Sequence, residues 1–371
     1  MDTVALLKRL TETVGLSGYE TPVRALIKDE LSPFADEVRA DKMGNLVALK
    51  RATTGDTDAP RARRIMLAAH MDEIGLMVTD VEEGFLRVAR VGGVDARLLS
   101  AQPVTVHGSV GGKHTLPGVV ASVPPHLLRE QDRSKVTPTK DLFIDVGLPP
   151  EQVAAQVRVG DLVSFRQELL ELKGGLVTGK AMDNRASVAA VVLCLELLSK
   201  MHHAWDVYAV TTVQEEVGLF GAATSAFGVA PDVAIAIDVT WAEQPGVSNN
   251  ETFPMGKGPT IGVGPNFHPT LRQDLENAAK EQEIPYHIEP MPGFSGTDAW
   301  AIQISREGIP TALLSIPSRY MHSPVEVVAL KDVERTARLM AHFIAGLDPD
   351  FLDTLSLQPD ENADQSGKGD A

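Results

Sequence analysis

The sequence contains a single cysteine, Cys194, among its 371 residues. No intrachain disulfide can form, and this absence is typical of proteins from a reducing compartment. The residue lies in an apolar stretch of a predicted helix, which indicates an inert core thiol. We therefore predict a cytoplasmic protein whose chemistry needs no thiol.

Basic residues are scarce relative to acidic ones. The chain has 34 Lys and Arg residues against 50 Asp and Glu residues, and its formal net charge is −16. Nucleic-acid binding depends on basic surface that displaces the counterions of the phosphates. The charge balance therefore argues against a nucleic-acid partner.

Long apolar runs are also absent. No stretch approaches the roughly 18 uncharged apolar residues that a transmembrane helix needs, so no membrane partner is predicted. The first residues carry Asp2 and only a short apolar run before Lys8, which does not predict a secretory signal. No internal repeat and no glycine-rich nucleotide-binding loop is present in the sequence. With 43% hydrophobic and 23% charged residues, the composition is that of a globular protein.

The chain does contain an alternation of apolar strands and amphipathic helices. Strands are predicted at residues 65–69, 207–213, 233–237 and 311–316, and helices at residues 3–13, 22–31, 185–200, 269–282 and 331–345. The strands are almost continuously apolar, which is the pattern of a sheet buried on both faces. Together these elements predict an α/β fold in which helices sandwich a mostly parallel sheet.

One region interrupts this alternation. From about residue 76 to 165 the helical pattern almost disappears, and Val, Gly and Pro dominate. This predicts a small β-rich domain at 76–165, inserted into a discontinuous α/β domain of residues 1–75 and 166–351. The alternative is that these strands extend the main sheet. Residues 352–371 are polar and rich in Asp, Gln, Ser and Gly, which predicts a disordered tail.

Acidic residues and histidines follow the carboxyl ends of the predicted strands. They are His70 and Asp72, Glu215 and Glu216, Asp238, and, six residues beyond the fourth strand, His322. Asp183 stands just before a helix, where an isolated Asp would be an N-cap. Each has an ordinary structural explanation when it is taken alone. Because ligands of open α/β sheets bind beyond the carboxyl ends of the strands, we expect the set to converge in one crevice.

Two imidazoles and several carboxylates in one crevice indicate a site for divalent metal ions. Such ligands without a thiol suit zinc, cobalt or manganese. Two ions, a bridging hydroxide and three ligand carboxylates form a nearly neutral centre, which leaves a further carboxylate free to act as general base. Glu215 and Glu216 suit this division, one binding metal and the other holding the water. Asp72 is placed to accept the second N–H of the His70 imidazole.

Several segments resemble the tetrahedral aminopeptidase family, also called deblocking or glutamyl aminopeptidases and sometimes described as endoglucanase-like. They are Leu16-Ser-Gly-Tyr-Glu, Ala69-His-Met-Asp-Glu-Ile-Gly-Leu-Met-Val, Gly179-Lys-Ala-Met-Asp-Asn-Arg, Gln214-Glu-Glu-Val-Gly-Leu-Phe-Gly-Ala, Ala236-Ile-Asp-Val-Thr, Gly296-Thr-Asp-Ala and Arg319-Tyr-Met-His-Ser-Pro-Val-Glu. They occur in family order over roughly residues 10–345. The His-x-Asp and Glu-Glu pieces are shared with the wider clan of di-zinc peptidases, whereas the segments around His70 and His322 are more specific.

The resemblance implies a metal-dependent aminopeptidase that acts on peptides with free N-termini. It implies a ligand set in which His70 and Asp238 hold one ion, Glu216 and His322 hold the other, and Asp183 bridges them. Glu215 is then the general base that acts on a metal-bridging hydroxide. The resemblance also implies two zinc or cobalt ions per subunit, with manganese as a further option. A PDZ-like inserted domain for dimerisation or as a lid, and dimers that build a tetrahedral dodecamer, are its remaining implications.

Four further residues are predicted to contact substrate: Gly296, Asp298, Arg319 and His126. The first two belong to the stretch 293–300, which is expected to shape the pocket for the first side chain, and His126 lies on a loop. For Asp298 the alternative is a turn-stabilising role. Two other histidines, His202 and His203, follow a helix and are predicted to lie at the surface.

Three other functions are consistent with parts of this pattern. An amidase or carboxypeptidase of the same clan would share the ligands but act on blocked amines or on C-termini. A glycoside hydrolase would use two carboxylates and no metal. A non-enzymatic scaffold would tolerate the loss of Glu215. Sensitivity to a chelator and the need for a free N-terminus distinguish these alternatives.

Overall fold

The computed structural model describes residues 1–54, 61–248, 251–348 and 350–355. Its helices are α1 (Thr3–Glu12), α2 (Thr21–Leu31), α3 (Pro150–Ala154), α4 (Met182–Leu198), α5 (Phe220–Val229), α6 (Pro269–Glu281), α7 (Asp298–Gln303) and α8 (Leu330–Ala345). Its strands are β1 (Glu37–Ala40), β2 (Leu46–Lys50), β3 (Arg64–His70), β4 (Gly75–Glu82), β5 (Phe85–Val91), β6 (Pro103–Gly108), β7 (His114–Ala121), β8 (Phe143–Asp145), β9 (Leu162–Phe165), β10 (Leu170–Glu171), β11 (Leu176–Gly179), β12 (Asp206–Thr212), β13 (Val233–Trp241), β14 (Thr260–Val263), β15 (His287–Pro290), β16 (Thr311–Arg319) and β17 (Glu326–Ala329).

The α/β domain is built on an eleven-stranded sheet of order β1-β2-β12-β3-β13-β16-β17-β11-β10, to which β14 and β15 are attached through β16. Strands β12, β3, β13 and β16 run parallel at its centre. The strands outside this centre pair mainly antiparallel. The sheet is therefore mixed. Its centre is parallel, as predicted, whereas most of its outer strands are antiparallel, because an apolar run reveals a buried strand but not the direction of its neighbours.

Both faces of the central strands are covered, as their apolar pattern predicts. Along β3, Ile65 and Leu67 belong to the core beneath α4, whereas Met66 and Ala68 belong to the core that α5 and α7 cover. Helix α4 is buried along almost its whole length because it packs between the sheet and α8. Among the described residues, no helix is long and apolar enough to cross a membrane.

The inserted region forms a closed barrel of strand order β4-β5-β8-β7-β6-β9. In the described strands, these six pair only with one another, so they do not extend the main sheet. The barrel has its own core, which includes Val88, Val106 and Ile144. A separate β-rich domain is thus confirmed, while its likeness to a PDZ domain and its role in dimerisation stay predictions.

Near Trp205 the structure differs from two predictions made from the sequence, on the tail and on His203. Its indole packs edge-on against Phe351, with ring centroids 6.1 Å apart. Phe351 opens a 3₁₀ helix, Phe351–Leu355, so the first residues of the predicted tail are ordered and the rest lie outside the described residues. The prediction that His203 lies at the surface is wrong, since its side chain is 1% exposed. The N–H groups of Thr53 and Thr54 donate to the carbonyl of His203, and the Thr53 hydroxyl accepts the N–H of His203.

Candidate metal centre

The carboxyl edge of the parallel strands opens into a cavity of about 480 Å³. Its lining includes all six residues of the predicted metal and general-base set: His70, Asp183, Glu215, Glu216, Asp238 and His322. His70 is the last residue of β3, and Asp238 lies within β13. The two glutamates lie in the turn after β12, and His322 follows β16 in a left-handed conformation with φ of 62°. The strand ends thus bring together residues that are far apart in the chain.

Asp183 stands between the two histidines. Its Oδ1 lies 3.1 Å from Nε2 of His70, and its Oδ2 lies 3.4 Å from Nε2 of His322. Burial opposes the ionisation of Asp183, but hydrogen bonds to His322 and His70 outweigh it and lower the pKa of the carboxyl. One carboxylate therefore presents its two oxygens to two imidazoles, which is the disposition that a bridging ligand requires.

Two overlapping groups of ligand atoms are compact enough to hold an ion. His70, Asp183 and Glu216 form one group, and His70, Glu215 and Asp238 form the other, with all atoms of a group within 4.8 Å of one another. His322 lies outside both groups, although its Nε2 is 3.5 Å from Oε2 of Glu216. The two groups contain five of the six predicted residues, and their grouping differs from the predicted pairing, which stays a prediction.

The electrostatics of the cavity fit a metal ion. Burial and neighbouring carboxylates raise the pKa values of Glu215, Glu216 and Asp238 well above the ordinary range, although His70 opposes this effect. Among the described residues that line the cavity, none is a lysine or arginine. Crowded carboxylates in a buried site are unfavourable unless positive charge accompanies them. Divalent cations supply that charge, and the oxygen and imidazole donors suit zinc, cobalt or manganese.

Asp72 lies behind His70 and is fully buried. Its Oδ1 is 3.4 Å from Nδ1 of His70, the contact that the sequence predicts. The same carboxylate accepts the backbone N–H groups of Glu215 and Glu216 at 3.1 and 3.2 Å. It also accepts the hydroxyl hydrogen of Ser17 at 2.6 Å. Asp72 therefore orients a histidine and a pair of glutamates together, and the three additional donors were not predicted because nothing in the sequence pairs them with it.

The residues predicted to contact substrate lie in different surroundings. Gly296 lines the cavity. Asp298 is 2% exposed and accepts a hydrogen bond from Thr212, and burial raises its pKa to about 6. Arg319 donates through Nε to the carbonyl of Glu243 at 2.7 Å. His126 lies in a short 3₁₀ turn of the barrel, and neither it nor Arg319 is among the described lining residues.

Part of the cavity lining was not predicted from the sequence. It comprises Trp241, Met291 and Glu289, which line the same cavity as Phe294 of the predicted stretch 293–300. Glu289 is 7% exposed and accepts hydrogen bonds from the hydroxyls of Thr240 and Thr260. Burial raises its pKa, and the two hydroxyls oppose this shift. No motif or strand-end position in the sequence distinguishes Glu289 from other acidic residues.

Known proteins of similar sequence and structure indicate the family of this chain. A family model described as M42 glutamyl aminopeptidase matches residues 44–339. A lysyl aminopeptidase of Pyrococcus furiosus is 39% identical over 349 residues, which is 93% of this chain and 97% of the relative. The structure of an aminopeptidase from Desulfurococcus kamchatkensis, 39% identical, gives a TM-score of 0.87 and covers 95% of this chain and 97% of that one. A Pyrococcus horikoshii TET1 peptidase, which assembles into a tetrahedron or a large octahedral shell, is 34% identical, with a TM-score of 0.79 and coverage of 93% and 100%.

Proposed function

This chain belongs to the M42 glutamyl aminopeptidase family and is an aminopeptidase, and we propose that it releases N-terminal residues with two divalent metal ions and Glu215 as general base. The observation that carries the mechanism is the position of Asp183, whose two oxygens face His70 and His322. A single carboxylate between two imidazoles is suited to a pair of ions that share one ligand.

The ligands of the two ions are divided as the family resemblance implies. His70 and Asp238 would hold one ion, Glu216 and His322 would hold the other, and Asp183 would be available to both. Zinc or cobalt is the expected metal, with manganese as a further option. When bound, such ions lower the pKa of a coordinated water and polarise the carbonyl of the scissile bond.

Glu215 is suited to proton transfer by its surroundings. Its Oε2 lies 3.8 Å from Nε2 of His70, at the edge of the ligand cluster. Burial and the charges of neighbouring carboxylates raise its pKa, and bound cations would oppose this shift and favour the ionised form that a general base needs. Glu215 takes a proton from the attacking water and then delivers it to the leaving amine. Its backbone is held for this task by the hydrogen bond from its N–H to Asp72.

The cavity also favours a particular substrate. Its carboxylates attract the ammonium group of a free N-terminus. Trp241, Met291 and Phe294 provide an apolar wall for a methylene chain, and Glu289 places a carboxylate within the same lining. These features suit an N-terminal lysine or arginine, and the activity of the Pyrococcus furiosus relative, a lysyl aminopeptidase, supports this preference. A cationic side chain beside Glu289 offsets the effect of burial and favours the ionised carboxylate.

The chain is expected to act as a homo-oligomer. The TET1 peptidase, to which it is similar along nearly its whole length, assembles into closed shells. We extend this to dimers that build a tetrahedral dodecamer, with the inserted β-rich domain of residues 76–165 as the dimerisation or lid domain. Light scattering of the purified protein separates a dimer from a dodecamer.

Hydrolysis of aminoacyl anilides tests the proposal. The purified protein is assayed before chelation, after chelation and after addition of zinc, cobalt or manganese. We expect chelation to abolish hydrolysis, one of these metals to restore it, and the same anilides with an acetylated amine to resist cleavage. Hydrolysis that survives removal of all metal would overturn the metal mechanism. Cleavage of acetylated substrates or of C-terminal residues would instead indicate an amidase or carboxypeptidase.

A further inference from the structure

A buried carboxylate, Glu326, joins two of the proposed metal ligands through their backbones. Its side chain is 2% exposed. Oε2 accepts the N–H of Asp183 at 3.0 Å, and Oε1 accepts the N–H of His322 at 2.8 Å. Each oxygen of one side chain therefore holds a different ligand residue, and the two ligands come from segments that are far apart in the chain.

These two ligands need such support more than His70 and Asp238 do. His70 and Asp238 lie in β3 and β13, where pairing with neighbouring parallel strands fixes the backbone. Asp183 has non-helical φ and ψ of −75° and 101° at the start of α4, and His322 lies in a left-handed conformation beyond β16. Regular secondary structure therefore orients the first pair of ligands but not Asp183 and His322.

Glu326 itself stands on a rigid base. It is the first residue of β17, and it pairs with Gly179, the last residue of β11, in an antiparallel ladder. Lys180 follows Gly179, is bonded to Glu73, and lies close enough to Glu326 for their charges to interact. The carboxylate is thus fixed from its own strand and from the segment that leads to Asp183.

The position of Glu326 is costly for folding alone. The carboxyl group is 2% exposed, and burying a charged group is unfavourable unless it is hydrogen-bonded or paired. Well-packed apolar side chains often replace buried charged groups without loss of stability. A carboxylate at this place is therefore better explained by the two backbone N–H groups that it accepts than by packing.

We propose that Glu326 is a positioning residue of the metal centre, which sets the spacing between the shared carboxylate of Asp183 and the imidazole of His322. The inference rests on the proposed function, because it takes these two residues as metal ligands. Partners of metal ligands that do not touch the ion typically change metal affinity or activity by about 10–100-fold when they are replaced. We expect an effect of this size on the ion that His322 holds.

Three substitutions separate the contributions of the two hydrogen bonds. Glu326→Gln keeps the shape of the side chain but replaces one accepting oxygen by an amide group that cannot accept. Glu326→Ala removes both acceptors. Glu326→Asp keeps the carboxylate on a shorter side chain. This variant is expected to retain more metal affinity and activity than Glu326→Gln and Glu326→Ala.

Asp332 provides a matched control. It is fully buried, and its two oxygens accept the N–H groups of Gly256 and Gly258, as those of Glu326 accept two other N–H groups. It is not among the described residues that line the cavity. Asp332→Asn therefore makes the same chemical change in a comparable setting, and it is expected to reduce thermal stability without changing metal affinity.

The test measures metal binding as well as activity in the full-length protein. Each variant is loaded with Co²⁺, and we record the bound metal per subunit, the visible absorption spectrum, affinity by competition with a chelator, and kcat and KM separately. We expect Glu326→Gln to bind one of its two ions about 10–100-fold more weakly, to change the spectrum, and to lose kcat more than it raises KM.

The outcomes distinguish the two levels of the proposal. Two ions bound by Glu326→Gln and Glu326→Ala with the affinity and spectrum of the wild type would overturn the positioning role. A loss of metal affinity in Asp332→Asn equal to that in Glu326→Gln would also overturn it, because general destabilisation would then explain both. If the wild-type protein binds no pair of ions, the proposed function fails, and the positioning role falls with it.

Discussion

The hydroxyl of Ser17 donates a hydrogen bond of 2.6 Å to Oδ2 of Asp72, and both residues are buried. Asp72 in turn accepts the N–H groups of Glu215 and Glu216 and lies against His70. A loop near the N-terminus is therefore linked to the backbone of the proposed general base, Glu215, through the carboxylate of Asp72. Ser17 therefore contributes to the geometry of the proposed metal centre, although it is not among the described residues that line the cavity.

Ser17→Ala removes this hydrogen bond and leaves Asp72 with one donor fewer. We expect the free energy of unfolding to fall by about 1 kcal/mol and kcat to fall as well, because the two glutamates lose part of their orientation. Denaturant unfolding and steady-state kinetics measure the two effects. Ser225→Ala is the control, since the Ser225 hydroxyl is also buried but donates to the carbonyl of Ala222 within α5. An equal fall of kcat in both variants would contradict the prediction.

Glu215→Gln removes the proposed base without removing a proposed ligand. We expect metal content to remain and kcat to fall by about 10²–10⁴-fold, because the amide cannot take a proton from the attacking water. Glu216→Gln is the comparison, and it is expected to lower metal affinity first. Elemental analysis of the purified variants and anilide hydrolysis measure both properties. Wild-type activity in Glu215→Gln would show that another group is the base.

Glu289→Gln removes a charge from the side-chain pocket but keeps the size of the residue. We expect kcat/KM for lysyl and arginyl anilides to fall by about tenfold relative to that for the leucyl anilide, which corresponds to roughly 1.4 kcal/mol. Glu276→Gln is the control, because Glu276 is also largely buried but lies in α6, outside the described lining of the cavity. An unchanged ratio of lysyl to leucyl activity would refute the role of Glu289 in specificity.

His203 gives the protein a pH dependence that does not involve the metal centre. Its Nδ1 lies 2.8 Å from the carbonyl oxygen of Trp205, and its Nε2 is buried without a hydrogen-bond partner in the described part of the chain. Burial lowers the pKa of His203 below the ordinary value of 6.5, although the bond to Trp205 opposes this. The folded state thus binds this proton less readily than the unfolded state, so its contribution to stability is complete above pH 6.5 and is lost as the pH falls.

Unfolding free energies at pH 7.5 and 5.5 test this contribution. We expect His203→Gln to lose less stability between these pH values than the wild type does, because the titrating group is gone. His202→Gln removes the adjacent histidine, which is more exposed, and is expected to behave as the wild type. If all three proteins lose the same free energy over this range, His203 does not carry the effect.

The sequence predicted the strands that carry the proposed metal ligands better than it predicted how those strands are arranged in the sheet. The apolar runs that became β3, β12, β13 and β16 are visible because strands buried on both faces exclude polar residues. The convergence of His70 and Asp238 follows, since parallel strands end at one edge. The resemblance to the tetrahedral aminopeptidases is confirmed by the family match, and the glycoside hydrolase alternative is set aside, because the matching family and the relatives described above are aminopeptidases.

Other parts of the centre were not predictable by pattern. Glu326 and Asp72 act on backbone N–H groups, which every residue but proline carries and which therefore leave no trace in the sequence. Ser17 and Glu289 depend on partners that only the folded chain brings near. The position of His203 was mispredicted for a related reason, because its place after a helix reveals neither its backbone hydrogen bonds to Thr53 nor its burial.

Because the barrel is inserted between β3 and β12, these two strands of the main sheet are synthesised at different times. Strand β3 is made before the barrel and β12 after it, yet the two are neighbours in the sheet. At the usual pace of translation, roughly ten seconds or more separate them. The barrel contains all the pairing partners of its own described strands, whereas β3 pairs with β12 and β13, which are both made after the barrel. His322 follows the other proposed ligands in the chain, so the proposed ligand set is complete only after synthesis has passed residue 322.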